Sequence, residues 1–115
     1  MESIIDNEFG VEFNKLYKLE VIVSGEHEAL VATIMQDASA KGFTLLRNVS
    51  GMGHHGFHEG RLLYNDQHNQ VMFITVAARD SILAISKTLK TLFEKHSGVM
   101  FVSPVLVSRQ EYFTP

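Results

Sequence analysis

The sequence predicts an α+β domain of the ferredoxin-like, split βαβ kind: a four-stranded antiparallel sheet with two helices on one face. Three observations lead there. Four strand-length segments carry alternating or continuous apolar residues, two segments between them switch to a helical period, and the pieces follow one another as β-α-β-β-α-β without an internal linker. At 115 residues the chain is long enough for one domain with its own core and too short for two. The domain is therefore expected to span residues 1–115.

The first strand is "LYKLEVIVS", Leu16 to Ser24, which alternates around Leu19, Val21 and Val23. In "GEHEALVATIMQDASAKG" the period changes. Leu30, Val31, Ile34, Met35 and Ala38 fall on one helical stripe, Ser24 or Gly25 is available as cap, and Gly42 as the stop. Glu26 and Glu28 in the first turn and Lys41 in the last suit the helix dipole. "GFTLLRNVSG" returns to strand character. A loop rich in Gly, His, Asn and Asp leads to "QVMFITVAA", Gln70 to Ala78, a run apolar enough for a strand buried on both faces. The second helix starts at Asp80, with Ile82, Ile85, Leu89, Leu92 and Phe93 stepping by three and four and Gly98 ending it. In the last strand, "GVMFVSPVLVSR", Pro104 cannot donate a ladder hydrogen bond, which predicts an edge position or a bulge. Helices on one face leave the other apolar face bare, so an oligomer that covers it is expected. Residues 1–14 form an extension in which Phe9, Val11 and Phe13 alternate. An added edge strand, packing on a neighbouring copy and an unstructured arm all fit that pattern.

Composition excludes several classes of function. With no cysteine there is no disulfide, thiolate metal site or cysteine nucleophile. A net charge of -3 lacks the basic footprint of a nucleic-acid binder. The acidic start "MESIID" is unlike a signal peptide, and the expected location is cytoplasmic. No G-x-S-x-G, H-E-x-x-H or comparable catalytic spacing occurs, so an enzyme is not expected.

The stretch "SGMGHHGFHEGR", Ser50 to Arg61, contains a literal G-x-G-x-x-G and three histidines. A dinucleotide fingerprint must follow a strand and open a helix, and "FHEGRLLYNDQHN" has no helical stripe. Two readings remain for the loop. Gly51 and Gly53 let backbone N–H groups close on an anion without side-chain obstruction, or they merely permit a bulge where the strand ends. His54, His55 and His58 offer nitrogen ligands to Zn²⁺, Cu²⁺ or Ni²⁺, with Glu59 adding an oxygen, or they are solvated.

The layout, together with "GFTLLRNVSGMG" and "SGVMFVSPVLVSR", resembles the PII signalling family and its PII-like relatives over Tyr17 to Arg109. The resemblance implies a homotrimer that binds an adenine nucleotide (ATP, ADP or AMP) between subunits. It also implies a mobile T-loop, here residues 51–69, that controls a partner such as a membrane transporter or an enzyme. By the same resemblance, Gly51, Met52 and Gly53 approach the phosphates and Thr44 contacts the base. Gly98 matches the glycine before the last strand, and Arg109 stands for C-terminal arginines that reach phosphates from a neighbouring subunit. The chain departs from the pattern at His54, where the family has an arginine, and at Val99, where it has a lysine. Loss of two fixed cations disfavours a triphosphate and favours AMP, ADP or another anion, bicarbonate included, as in carbon-regulatory relatives. The fold also resembles the copper-tolerance relatives of the family, and the metal-binding alternative is that His54, His55 and His58 capture a divalent ion. Tyr64 is the loose counterpart of a modifiable T-loop tyrosine.

Overall fold

The computed structural model describes residues 3–6, 10–53, 56–58 and 69–114. Its strands are β1 (Ser3–Asp6), β2 (Val11–Ser24), β3 (Thr44–Val49), β4 (Gly51–Gly53), β5 (Gly56–His58), β6 (Gln70–Ala77) and β7 (Gly98–Val107), and its helices are α1 (Glu28–Asp37) and α2 (Arg79–Phe93). The main sheet runs β3-β6-β2-β7, with every pair antiparallel. That is the expected split βαβ order, with α1 and α2 as the two crossovers.

β2 begins at Val11, five residues ahead of the expected Leu16. Its early part forms a ladder with β1, Ser3 opposite Asn14 through Asp6 opposite Val11. Asn14 also faces Val107 of β7, so β1 must lie along the other edge of β2, prolonging the edge that β6 leaves at Ala77. The added edge strand is thus Ser3–Asp6 rather than the alternating segment, whose Val11 and Phe13 lengthen β2 itself; Gly10 stands at φ 64 on the way into β2, a conformation glycine adopts without strain. Phe9 lies outside the described residues.

Cross-strand register assigns the two faces of the sheet. The row Leu45–Phe73–Val21–Met100 and its neighbours Leu19 and Val23 point toward the helices, where Val31 and Met35 of α1 and Ile82, Ile85 and Leu89 of α2 close the core. Phe73 is fully buried, with the Phe43 ring set edge-on at 5.1 Å. Thr75, also buried, donates its hydroxyl to the Gly42 carbonyl at 2.6 Å, so its polar atom is satisfied. Rows of opposite parity, Leu46–Met72–Ile22–Val99 and Thr44–Ile74–Glu20–Phe101, point away from the helices. Leu46, Val99 and Phe101 are exposed there, Phe101 at 56%. The apolar open face is therefore present as expected. For the same reason β6 is buried on only one face within a single chain, Val71, Phe73, Thr75 and Ala77 alternating with half-buried neighbours.

Three local expectations are corrected. A 3₁₀ turn, Gly25–His27, precedes α1, and neither Ser24 nor His27 makes a side-chain cap. The helix stops at Asp37, well before Gly42, because Ser39 takes the left-handed conformation (φ 65) and Ala40 N–H bonds back to the Met35 carbonyl at 3.0 Å, a Schellman-type closure. Leu30, placed on the core stripe by spacing, is 47% exposed, since α1 buries the Val31–Met35 line instead. α2 carries the expected stripe but closes at Phe93, and Gly98 opens β7 instead of ending the helix. The edge position of Pro104 is as expected: among the described residues β7 pairs with β2 alone.

Gly98 has a packing reason to be glycine. A Cβ there would lie 2.6 Å from Cδ1 and 2.7 Å from Cζ of the Phe93 ring, which packs against the core. Gly98→Ala is accordingly expected to destabilise the fold by about 1–3 kcal/mol through overpacking, read as a lower midpoint in urea unfolding with an unchanged slope.

Candidate functional site

The chain ends of several elements converge where β3 stops and β6 begins. Gly98, Val23, Val71 and Arg47 form one row across this end of the sheet, and the segment 51–69 leaves from it. Asn48 is left-handed (φ 59), and the β3–β6 register slips between Arg47 and Val49, a bulge that asparagine tolerates better than most residues. Its Oδ1 accepts a hydrogen bond from Asn69 Nδ2 at 2.9 Å, and Asn69 is 6% exposed. The Asn69 carbonyl in turn accepts from Gly25 N–H at 2.6 Å. Entry and exit of the segment are thereby tied to each other and to the turn that leads into α1.

Beside this clamp lies an open pocket of about 450 Å³ bordered by Gly25, Glu28, Arg47, Asn48 and Asn69. Arg47 donates two parallel hydrogen bonds to the Glu28 carboxylate, Nε to Oε1 at 2.9 Å and Nη2 to Oε2 at 2.8 Å. Those hydrogen bonds, with the guanidinium charge adding to them and slight burial opposing, hold the Glu28 carboxyl below its ordinary 4.5. On the neighbouring turn His27 is not the surface residue its position suggests. Its side chain is 14% exposed, its ring lies 4.6 Å from that of His96 after α2, and Nε2 is 3.4 Å from Glu26 Oε1.

The residues singled out by the sequence do not meet within one chain. Thr44 is the exposed first residue of β3, on the open face opposite Ile74. Gly51, Met52 and Gly53 form β4, which pairs with β5 as a small separate ladder, Gly51 opposite His58 and Gly53 opposite Gly56. His54 and His55 lie outside the described residues, as do Glu59 and Tyr64. Among the described residues no group of three or more His, Cys, Asp or Glu side chains is arranged to hold a metal ion. Gly98 is at the same end of the sheet as the loop base but on the β7 edge, three strand spacings or about 14 Å away. Arg109 follows the far end of β7, about 30 Å along the strand from Gly98. Thr44 and the loop glycines therefore sit along one edge of the sheet, and Gly98 and Arg109 along the other.

Residues 16–112 match the family model described as nitrogen regulatory protein P-II. The chain belongs to the P-II family. Its fold is closely shared with CPII from Thiomonas intermedia K12, a nitrogen regulatory PII-like protein whose structure is bound to ADP, AMP and bicarbonate. The two are 33% identical over 90% of this chain and 97% of that one, with a TM-score of 0.84. A PII-like signaling protein from Thermus thermophilus matches at 17% identity over 89% and 98% of the two chains, TM-score 0.75. GlnK of B. subtilis in complex with ATP matches at 13% identity over 79% and 82%, TM-score 0.56. The last two show the shared fold alone. No curated protein matches the chain.

Arg47, Asn48 and Asn69 were not foreseen as site residues. The only local cue was an asparagine inside a strand segment, "LRNV", where β-propensity disfavours it.

Two outcomes follow from the clamp and the ion pair. Replacing Asn48 by Val is expected to cost about 1–2 kcal/mol more than replacing it by Gly, since both lose the Asn69 hydrogen bond but only Val is strained at positive φ; matched urea titrations measure the difference. A folded-state pKa below the unfolded value means that the Glu28–Arg47 contribution is present above pH 4.5 and lost as pH falls through the lowered value. An NMR titration should place the Glu28 midpoint below 4.5 and return it to the ordinary range in Arg47→Ala.

Proposed function

We propose that this P-II family member assembles as a homotrimer and binds an adenine nucleotide, AMP or ADP, in the clefts between subunits. Segment 51–69 would then act as a T-loop that controls a partner protein, a membrane transporter or an enzyme. The observation that carries the reading is the 33% identity, over nearly the whole of both chains, to a PII-like protein bound to ADP, AMP and bicarbonate. The geometry supports it in two ways. An exposed apolar sheet face needs a second copy to cover it. The candidate residues are divided between the β3 and β7 edges, so a ligand that uses both requires the β7 edge of a neighbouring subunit.

In this arrangement Thr44 faces the base, the backbone of Gly51, Met52 and Gly53 and the His54 position approach the phosphates, and Arg109 reaches in from the neighbour. Bicarbonate or a similar small anion is the natural second ligand, since a site built for phosphate oxygens suits a planar oxyanion as well. His54 and Val99 supply no fixed cation where the family has two, which is why the reading prefers AMP and ADP to ATP. No residue set for chemical catalysis enters the proposal; the activity is regulatory.

Isothermal titration of chelator-treated protein tests it. ADP and AMP are expected to bind with micromolar affinity, roughly -8 kcal/mol, and ATP no more tightly than ADP. Gly51→Ala is a clean probe because nothing among the described residues lies within 4 Å of a Cβ at that position. It should weaken ADP binding about tenfold while melting temperature and trimer mass stay unchanged. Silence with all three nucleotides would sink the reading. If Zn²⁺, Cu²⁺ or Ni²⁺ then bound, and substitution of His54, His55 and His58 by Ala abolished the uptake, the function would move to the histidine loop.

A further inference from the structure

Two of the described arginines, Arg47 and Arg109, are used in opposite ways. Arg47 gives both ends of its guanidinium to a carboxylate, so its charge is neutralised in place. Arg109 pairs with no carboxylate among the described residues. Its Nη1 donates to the Tyr112 hydroxyl at 2.5 Å, and its guanidinium carbon stands 5.1 Å from the centre of the same ring. A phenol is a neutral acceptor. It fixes the direction of the guanidinium and leaves the full positive charge, and the fork formed by Nε and Nη2, for another acceptor.

The piece of chain that carries Tyr112 is itself anchored. Residues Gln110–Tyr112 form a 3₁₀ turn closed by Tyr112 N–H to the Arg109 carbonyl at 3.2 Å and Phe113 N–H to the Gln110 carbonyl at 2.9 Å. Thr114 Oγ1 also donates to the Gln110 carbonyl at 3.2 Å. Lys41, from the connection between α1 and β3, donates Nζ to the Glu111 carbonyl at 2.6 Å and so ties the turn to the body of the domain. Tyr112 nevertheless keeps 56% of its surface exposed. A tyrosine held at the surface by an anchored turn, with its hydroxyl on an arginine that no carboxylate neutralises, is poorly explained by core packing and well explained by aiming that arginine.

We propose that Tyr112 is a positioning residue for phosphate recognition, holding Arg109 extended and charged so that its free fork meets the phosphate of a nucleotide bound by the adjacent subunit. The inference rests on the nucleotide reading above. Its physical content is pre-organisation: a long side chain stacked on a ring and hydrogen-bonded at one nitrogen loses less rotamer freedom when it binds an anion than a free arginine does.

The test is a double-mutant cycle in the full chain, read by titration with ADP and with adenosine. Tyr112→Phe keeps the ring and removes the hydroxyl; it should weaken ADP about fivefold to tenfold and leave adenosine unchanged. Arg109→Ala should weaken ADP more and likewise spare adenosine. In the Arg109→Ala background, Tyr112→Phe should then have no further effect. A purely structural tyrosine would weaken both ligands alike or lower the melting temperature, and either result overturns the proposal. An Arg109→Ala effect on ADP with none from Tyr112→Phe removes the positioning role and leaves the nucleotide reading intact. ADP bound as tightly by Arg109→Ala as by the unaltered chain removes Arg109 from the site and the proposal with it. Failure of the unaltered chain to bind ADP at all strikes the parent reading instead, and the proposal falls with it.

Discussion

Both faces of the sheet are apolar and helices cover only one of them, and the rest of the molecule depends on that imbalance. β2 shows it within one strand: Leu19, Val21 and Val23 are buried under α1 and α2, while Ile22, between Leu46–Met72 on one side and Val99 on the other, faces the open side. Apolar rows of this kind are stable in water only when something covers them. A neighbouring copy does so most simply, because its own open face needs cover as well. Once subunits are apposed, the β3 edge of one and the β7 edge of another can share a cleft that neither chain forms alone. Burial of the open face and creation of the ligand site are then consequences of one contact.

Electrostatics sorts the charged residues around that cleft. At the loop base, Arg47 and Glu28 neutralise each other, and Glu26 also lines the pocket beside the Asn48–Asn69 clamp, so that pocket offers an anion no uncompensated cation despite its arginine. The β7 end differs, since Arg109 is oriented by a neutral hydroxyl and keeps its charge. In the proposed nucleotide site, with His54 and Val99 in place of two family cations, Arg109 would carry proportionately more of the phosphate contact than in a relative that retains them. A ligand with fewer phosphate charges to balance suits such a site.

The fold was legible because its signals are long. The α2 stripe Ile82, Ile85, Leu89 and the continuous apolar run of β6 are each long, and the helix and strand appear where those patterns put them, although β6 is buried on one face rather than two. Short-range features were less so. Ser39 ends α1 in a conformation usually given to glycine, and spacing alone pointed to Gly42. Leu30 fits the stripe by count but sits at its margin, where a small rotation of the helix decides between core and solvent. The hairpin of β1 and β2 depends on tertiary pairing that four residues of local sequence do not specify. At the candidate site, the glycines and Thr44 were visible as residue types. Their division between two sheet edges was not, because it is a property of strand order. Gly98 illustrates the overlap of roles: the family resemblance draws attention to it, yet the Phe93 ring crowds that position whatever the ligand.

Regulation asks more than binding of this architecture. A ligand moves a loop only if it contacts the loop's alternative states differently; equal affinity for both shifts nothing. Here the two ends of segment 51–69 are held by neutral hydrogen bonds, Asn69 to Asn48 and Gly25 to Asn69, one of whose partners is buried. Such a clamp is indifferent to ligand charge and keeps the base of the loop in one place. A difference between loop states then has to lie beyond the clamp. The first backbone past it, Gly51–Gly53, pairs here with Gly56–His58, and on the proposed reading the same glycines approach the phosphates, so a ligand that favours one arrangement of this short ladder would favour one state of the loop with it.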